Sequence, residues 1–153
     1  MNGTGQDEVL LGSSFQKRPS DWSIDGRFIL YAEATPLSST AWDLWVLPME
    51  GERKPWRWVN TPVSERNARF SPDGKWIALQ AFMPYAPASG GKRQLSTNGC
   101  SYPQWRRDGR ELYYTTTDGK LMVVEITPDA ELKAGPPKEL FTPRGYRVNA
   151  DRG

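Results

Sequence analysis

One short stretch, written three times, constrains this chain more than anything else in it. It reads Trp22-Ser23-Ile24-Asp25-Gly26-Arg27-Phe28-Ile29-Leu30-Tyr31, then Phe70-Ser71-Pro72-Asp73-Gly74-Lys75-Trp76-Ile77-Ala78-Leu79, then Trp105-Arg106-Arg107-Asp108-Gly109-Arg110-Glu111-Leu112-Tyr113-Tyr114. Each copy is an aromatic, two variable residues, Asp-Gly, a cation and a run rich in large apolar residues. In the second copy Pro72 presets φ, Asp73 can bond back to the local backbone, and Gly74 takes the positive φ that ends the turn. The chain therefore reverses there. The apolar runs that follow are short and bounded by turn signals, which suits strands buried on both faces. A lone hairpin of this size is marginal in water, so the copies must stack to bury those faces.

Further strands lie between the copies. After Tyr31 comes a polar loop, 34–41, then the apolar run 42–47, a turn at 48–51, and 55–59, whose alternation suits a half-exposed outer strand. The second unit is short. Its 80–91 segment carries Pro84 and Pro87, which argues against a regular central strand, and its outer-strand candidate is 92–95. The third unit restores the pattern with a tight hairpin at Thr117-Asp118-Gly119-Lys120, a strand at 121–126, a loop at 127–137 and an outer strand at 138–141. Residues 8–11 read as a strand in the tail of a preceding unit, and 146–153 as the start of a fourth copy cut off at its turn. The units so drawn are a tail at 1–18, a first at 19–66, a shortened second at 67–100, a third at 101–143 and a truncated start at 144–153. Asp25 and Asp73 are 48 positions apart and Asp73 and Asp108 are 35 apart, a mean near the roughly 40–45 residues of a four-stranded propeller blade.

Composition excludes several functions. Of 153 residues 37% are hydrophobic and 12% aromatic, which argues for a packed chain and against disorder. Twenty basic residues against 18 acidic give +2, too weak a bias to imply nucleic acid. There is no histidine, which removes imidazole bases, the usual zinc sites and any Ser-His-Asp or Cys-His nucleophile. Cys100 is the only cysteine, so it forms no internal disulfide or thiolate cluster and reads as a small residue packed near a turn. No apolar run approaches the roughly 20 residues of a membrane helix, and 1–11 lacks the basic start and apolar core of a signal peptide. The expectation is a chain without a membrane segment or an address, and without a cofactor.

At Phe70-Ser71-Pro72-Asp73-Gly74-Lys75, followed by an apolar strand, the sequence resembles the repeat of TolB-type, WD40-like (PD40) β-propellers. Residues 22–31, 42–47, 89–99 and 105–121 are similar, more narrowly, to the C-terminal propeller of bacterial membrane-anchored serine/threonine protein kinases. The likeness covers about 6–141 of the chain. It implies an all-β partial propeller of about three four-stranded antiparallel blades, the middle one trimmed. It also implies a sensor or interaction region that lies outside the membrane in those kinases. No kinase activity is implied, because the catalytic-loop histidine, an Asp-Phe-Gly and a glycine-rich nucleotide loop are absent. The chain departs from the pattern where Ile24 and Arg107 replace the turn proline, where Cys100 replaces a glycine, and where Asp151-Arg152-Gly153 splits the Asp-Gly pair.

Propellers have about 4 to 8 blades, so three cannot close a ring. The expectation is a non-catalytic module that binds a protein, peptide or ligand. It is either a fragment of a larger propeller or one of two chains that pair their open edges as a homodimer. The alternatives are an accessory propeller fragment of a serine/threonine kinase or prolyl-oligopeptidase-like peptidase whose catalytic domain lies elsewhere, and a degenerate product.

Candidate sites follow from the same residues. Asp25, Gly26, Asp73, Gly74, Asp108 and Gly109 share one turn position, which assigns them a structural role rather than a metal or acid/base role. Asp118 to Glu125 fails the calcium-loop pattern, and Gly3-Thr4-Gly5 and Gly90-Gly91-Lys92 fail the nucleotide-loop patterns. Trp56-Arg57-Trp58 and Trp105-Arg106 mix aromatics with cations, as sites for sugars or single-stranded bases do. An outer strand packing every other residue inward gives the same alternation, and that structural reading is preferred. Arg144, Arg147 and Arg152 read as a solvated tail.

Overall fold

The computed structural model describes residues 7–34, 42–58, 64–81, 94–96, 99–127 and 132–142. Among these residues the protein is all-β, with no helix, and its strands form three antiparallel sheets in chain order. The first is a meander of β1 (Lys17–Trp22), β2 (Phe28–Ala34), β3 (Trp42–Pro48) and β4 (Trp56–Arg57). The second is β5 (Glu65–Phe70) paired with β6 (Ile77–Ala81). The third is β7 (Ser101–Trp105), β8 (Glu111–Thr115) and β9 (Leu121–Thr127), whose outer edge is shared by β10 (Lys133–Ala134) and β11 (Lys138–Phe141).

The last two strands occupy one lane. Ala134 faces Ile126 and Lys138 faces Val123 on the same edge of β9. Gly135 still donates its N–H to the Glu125 carbonyl at 2.9 Å, but Pro136 and Pro137 have no N–H to give, so the lane breaks there.

The repeated turns close by one chemistry. In the first, Ser23 donates its hydroxyl to Asp25 Oδ1 at 2.6 Å and accepts from the Phe28 N–H at 2.9 Å, while Arg27 N–H reaches Asp25 Oδ1 at 3.1 Å. Ser71, Asp73, Lys75 and Trp76 repeat these bonds at 2.5, 3.2 and 2.9 Å. In the third turn Arg106 replaces the serine, and its Nε lies 3.4 Å from Asp108 Oδ2. Gly26, Gly74 and Gly109 all sit at φ between 71° and 75°, the left-handed region that glycine enters without steric cost. Thr116 and Asp118 build a shorter version at the β8–β9 hairpin, with Lys120 N–H donating to Thr116 Oγ1 at 3.0 Å.

These bonds favour the ionised forms of Asp25, Asp73 and Asp118. The Ser23 hydroxyl and Arg27 N–H hold the Asp25 carboxyl below its ordinary value of 3.8, and the Thr116 hydroxyl does the same for Asp118. Partial burial pushes Asp73 up, but the Ser71 hydroxyl and Lys75 N–H together outweigh it and the net shift is downward. A carboxyl depressed in the folded state stabilises above its unfolded value and loses that stabilisation as pH falls through the folded one. The urea midpoint is therefore expected to drop below about pH 4. A chain carrying Asp25→Asn, Asp73→Asn and Asp118→Asn should lose less over the same interval, and an equal loss would contradict the assignment.

Packing joins the sheets in series. Leu30, Leu44 and Val46 of the first sheet close on Ala68 of β5, with Phe70, Ile77 and Leu79 of the second sheet packed against them. Leu112, Tyr114, Val124 and Ile126 form a second cluster in the third sheet, and Ala78 of β6 packs against it. Along β6, alternate residues thus serve opposite neighbours, as strand geometry requires. The middle sheet is the filling between the other two. Cys100 packs partly buried on the second cluster, and its thiol lies 3.7 Å from the Leu79 carbonyl, which ties the third sheet to the second.

Several expectations need correction. Residues 8–11 form no strand: Val9 is 81% exposed and the segment pairs with no ladder among the described residues. Trp56 and Arg57 are both exposed, so β4 does not alternate, and Val59 lies outside the described residues. Gln94 and Leu95 are not in a strand, although Leu95 packs on the second cluster, and residues 92–93 lie outside the described ones. The 127–137 segment is not all loop, since it contains β10. Residues 144–153, with Arg144, Arg147 and Arg152, also lie outside the described residues, as do Gly3-Thr4-Gly5 and Gly90-Gly91-Lys92.

Candidate functional site

The aromatic end of each repeat meets its neighbour along one rim. Phe70 N–H donates to Asp21 Oδ2 at 2.9 Å, and the Trp105 indole N–H donates to the Arg69 carbonyl at 3.3 Å. A Cβ on Gly109 would stand 3.7 Å from Pro72 Cδ, so the second and third turns touch. Asp25, Asp73 and Asp108 are each engaged inside their own turn, and no group of three metal-ligating side chains occurs among the described residues.

The aromatic and cationic candidates fall on different sheets. On β4, Trp56 meets Phe28 edge to face at 5.9 Å. Arg57 lies 5.5 Å from the Trp45 ring, with Nη2 3.0 Å from Asp43 Oδ2. Burial pushes the Asp43 carboxyl up, against the pull of Arg57. Trp58 stays 48% exposed while its N–H donates to the Leu44 carbonyl at 2.9 Å. Trp105 is partly buried in the second cluster, and Arg106 holds Asp108 and, at 3.2 Å, Glu111. Trp105 and Arg106 are thus occupied within the fold, and they do not join Trp56, Arg57 and Trp58 in one surface.

A different site emerges on the first strand of each sheet. The ladder of β1 slips between Pro19 and Asp21, that of β5 between Arg66 and Arg69, and that of β7 between Ser101 and Gln104. Each slip is a β-bulge a few residues before the repeated aromatic, and bulges re-aim side chains. Asn67 and Tyr102 sit inside two of them at φ of 50° and 54°, a region that asparagine tolerates but that costs a residue such as tyrosine about 1–2 kcal/mol. The bulges meet at a cavity of about 130 Å³.

Arg18, Pro19 and Ser20 line the cavity from β1, Arg66 and Asn67 from β5, and Tyr102 from β7. Ala32 and Gln80 complete its wall. Trp42, almost fully buried, has the Arg18 guanidinium 4.4 Å and that of Arg66 5.8 Å from its ring centroid, within cation–π reach. Asn67 donates its amide to Gln80 Oε1 at 2.6 Å, which bridges β5 and β6 beside the cavity. Arg66 Nε also donates to Ser64 Oγ at 3.3 Å.

Sequence reasoning missed this site. The available signals were Arg18 and Arg66, each four positions before the repeat's aromatic, and Pro103, which a regular central strand does not accommodate. Set beside known proteins, the chain matches no family model and no curated protein.

Proposed function

We propose that this chain is a non-catalytic binding module built as part of a TolB-type β-propeller, with its binding face where the first strands of the sheets converge. The observation that carries the reading is a fan. β5 lies against β1, β2 and β3 of the first sheet and against β7 of the third, while β4, β10 and β11 each approach only the strand they pair with. Sheets close at one edge and splayed at the other are what blades around an axis require. In this reading the first and third sheets are four-lane blades, and β5 with β6 is the trimmed one. The missing blades come from a longer parent protein or from a second copy, and the partner is a protein, peptide or small ligand held on the inner face.

The purified chain is expected to melt in one cooperative transition, with a fixed near-ultraviolet signal from its tryptophans. It is expected to turn over neither ATP nor peptide esters. Turnover that stays at constant specific activity through purification would overturn the non-catalytic reading, and a sloping melt without aromatic signal would overturn the module itself.

A further inference from the structure

We infer that the cavity between the β1, β5 and β7 bulges binds a carboxylate, either that of an acidic peptide side chain or that of a free dicarboxylate. The inference rests on the reading of the inner strands as the binding face, and it names what that face takes. Two guanidinium groups line the cavity, and no carboxylate does so among the described residues. Both are held near one indole ring, so the two charges are at most about 10 Å apart. A cleft lined by charges of one sign draws anions to it.

The rest of the wall supplies donors. Ser20 and Tyr102 bring hydroxyls, and Tyr102 is 59% exposed at the mouth. With Asn67 donating to its oxygen, the Gln80 amide still has its NH₂ to offer. Turning both amides over would leave an N–H free all the same.

Size narrows the ligand. A cavity of about 130 Å³ is well below the roughly 300–1,000 Å³ of sites for larger ligands, and it suits a carboxylate with a few waters. The planar fork of arginine pairs with a planar carboxylate through two parallel bonds. The strained backbone at Tyr102 falls at this cavity, and strain held by the surrounding fold clusters at ligand sites.

The test is an amide NMR titration of the full chain at constant ionic strength with chloride as the background anion. One arm uses succinate and the other a short capped peptide containing a single glutamate. Saturable shifts confined to the segments around Arg18, Arg66, Gln80 and Tyr102 are expected in at least one arm, and the tighter arm identifies the source. Arg18→Gln, at an exposed position, and Arg66→Gln are each expected to weaken binding about tenfold or more, the loss of one charge-assisted pair. Tyr102→Phe should weaken it by a smaller factor, and Arg57→Gln, outside the cavity, should leave it unchanged. A well-dispersed spectrum with no saturable shift in either arm, or equal binding by Arg18→Gln, would overturn the carboxylate site and leave the module reading standing. A collapsed spectrum would overturn both.

Discussion

Leu44→Ala is expected to remove about 3–5 kcal/mol of unfolding free energy, the range for a leucine whose surroundings cannot collapse into the space it leaves. Leu44 is 0% exposed on β3 and shares its cluster with Leu30, Val46 and Ala68. The fully buried residue that the second sheet adds to this cluster is Ala68, also 0% exposed, and it has no side chain to extend into a void. Small domains are stable by only about 5–15 kcal/mol in all, so the urea midpoint should fall by about a fifth or more with the slope unchanged. A loss below about 1 kcal/mol would mean that the first and second sheets are not packed as described.

Leu112→Ala is expected to cost about 2–4 kcal/mol and to shift the same transition. Leu112 is 3% exposed on β8, in the cluster with Tyr114, Val124 and Ile126. The two leucines stand on opposite sides of the middle sheet, which is only β5 and β6 among the described residues. Ile77 and Leu79 pack toward the first cluster and Ala78 toward the second, so unfolding on either side strips one face of β6. One cooperative transition in both variants follows. A second, separate transition in Leu112→Ala, seen by tryptophan fluorescence, would show the third sheet folding on its own.

What could be read from the sequence is what local chemistry encodes. Asp25-Gly26, Asp73-Gly74 and Asp108-Gly109 announce their turns because glycine alone enters φ near 72° without cost, and the apolar runs after them become β2, β6 and β8. The bulges were hidden, because Asn67 and Tyr102 adopt positive φ without the glycine that would have flagged it. Arg18 and Arg66 were passed over, since only the convergence of β1 and β5 brings them to one ring. Val9 and Leu10 looked like a strand because apolarity is local, whereas a ladder partner is not. β10 hid behind Pro136 and Pro137, which break a lane without ending it.

The convergence of the first strands is the claim on which both the module reading and the carboxylate site depend. It is tested most directly by a nitroxide label on Tyr102→Cys in a Cys100→Ser chain, read as paramagnetic broadening of backbone amides. Broadening strongest at 18–21 and 66–69, in sheets other than the label's own, and weak at Trp56 and Arg57, is the predicted result. Stronger broadening at β4 than at β1 would place the sheets in another order and contradict the fan.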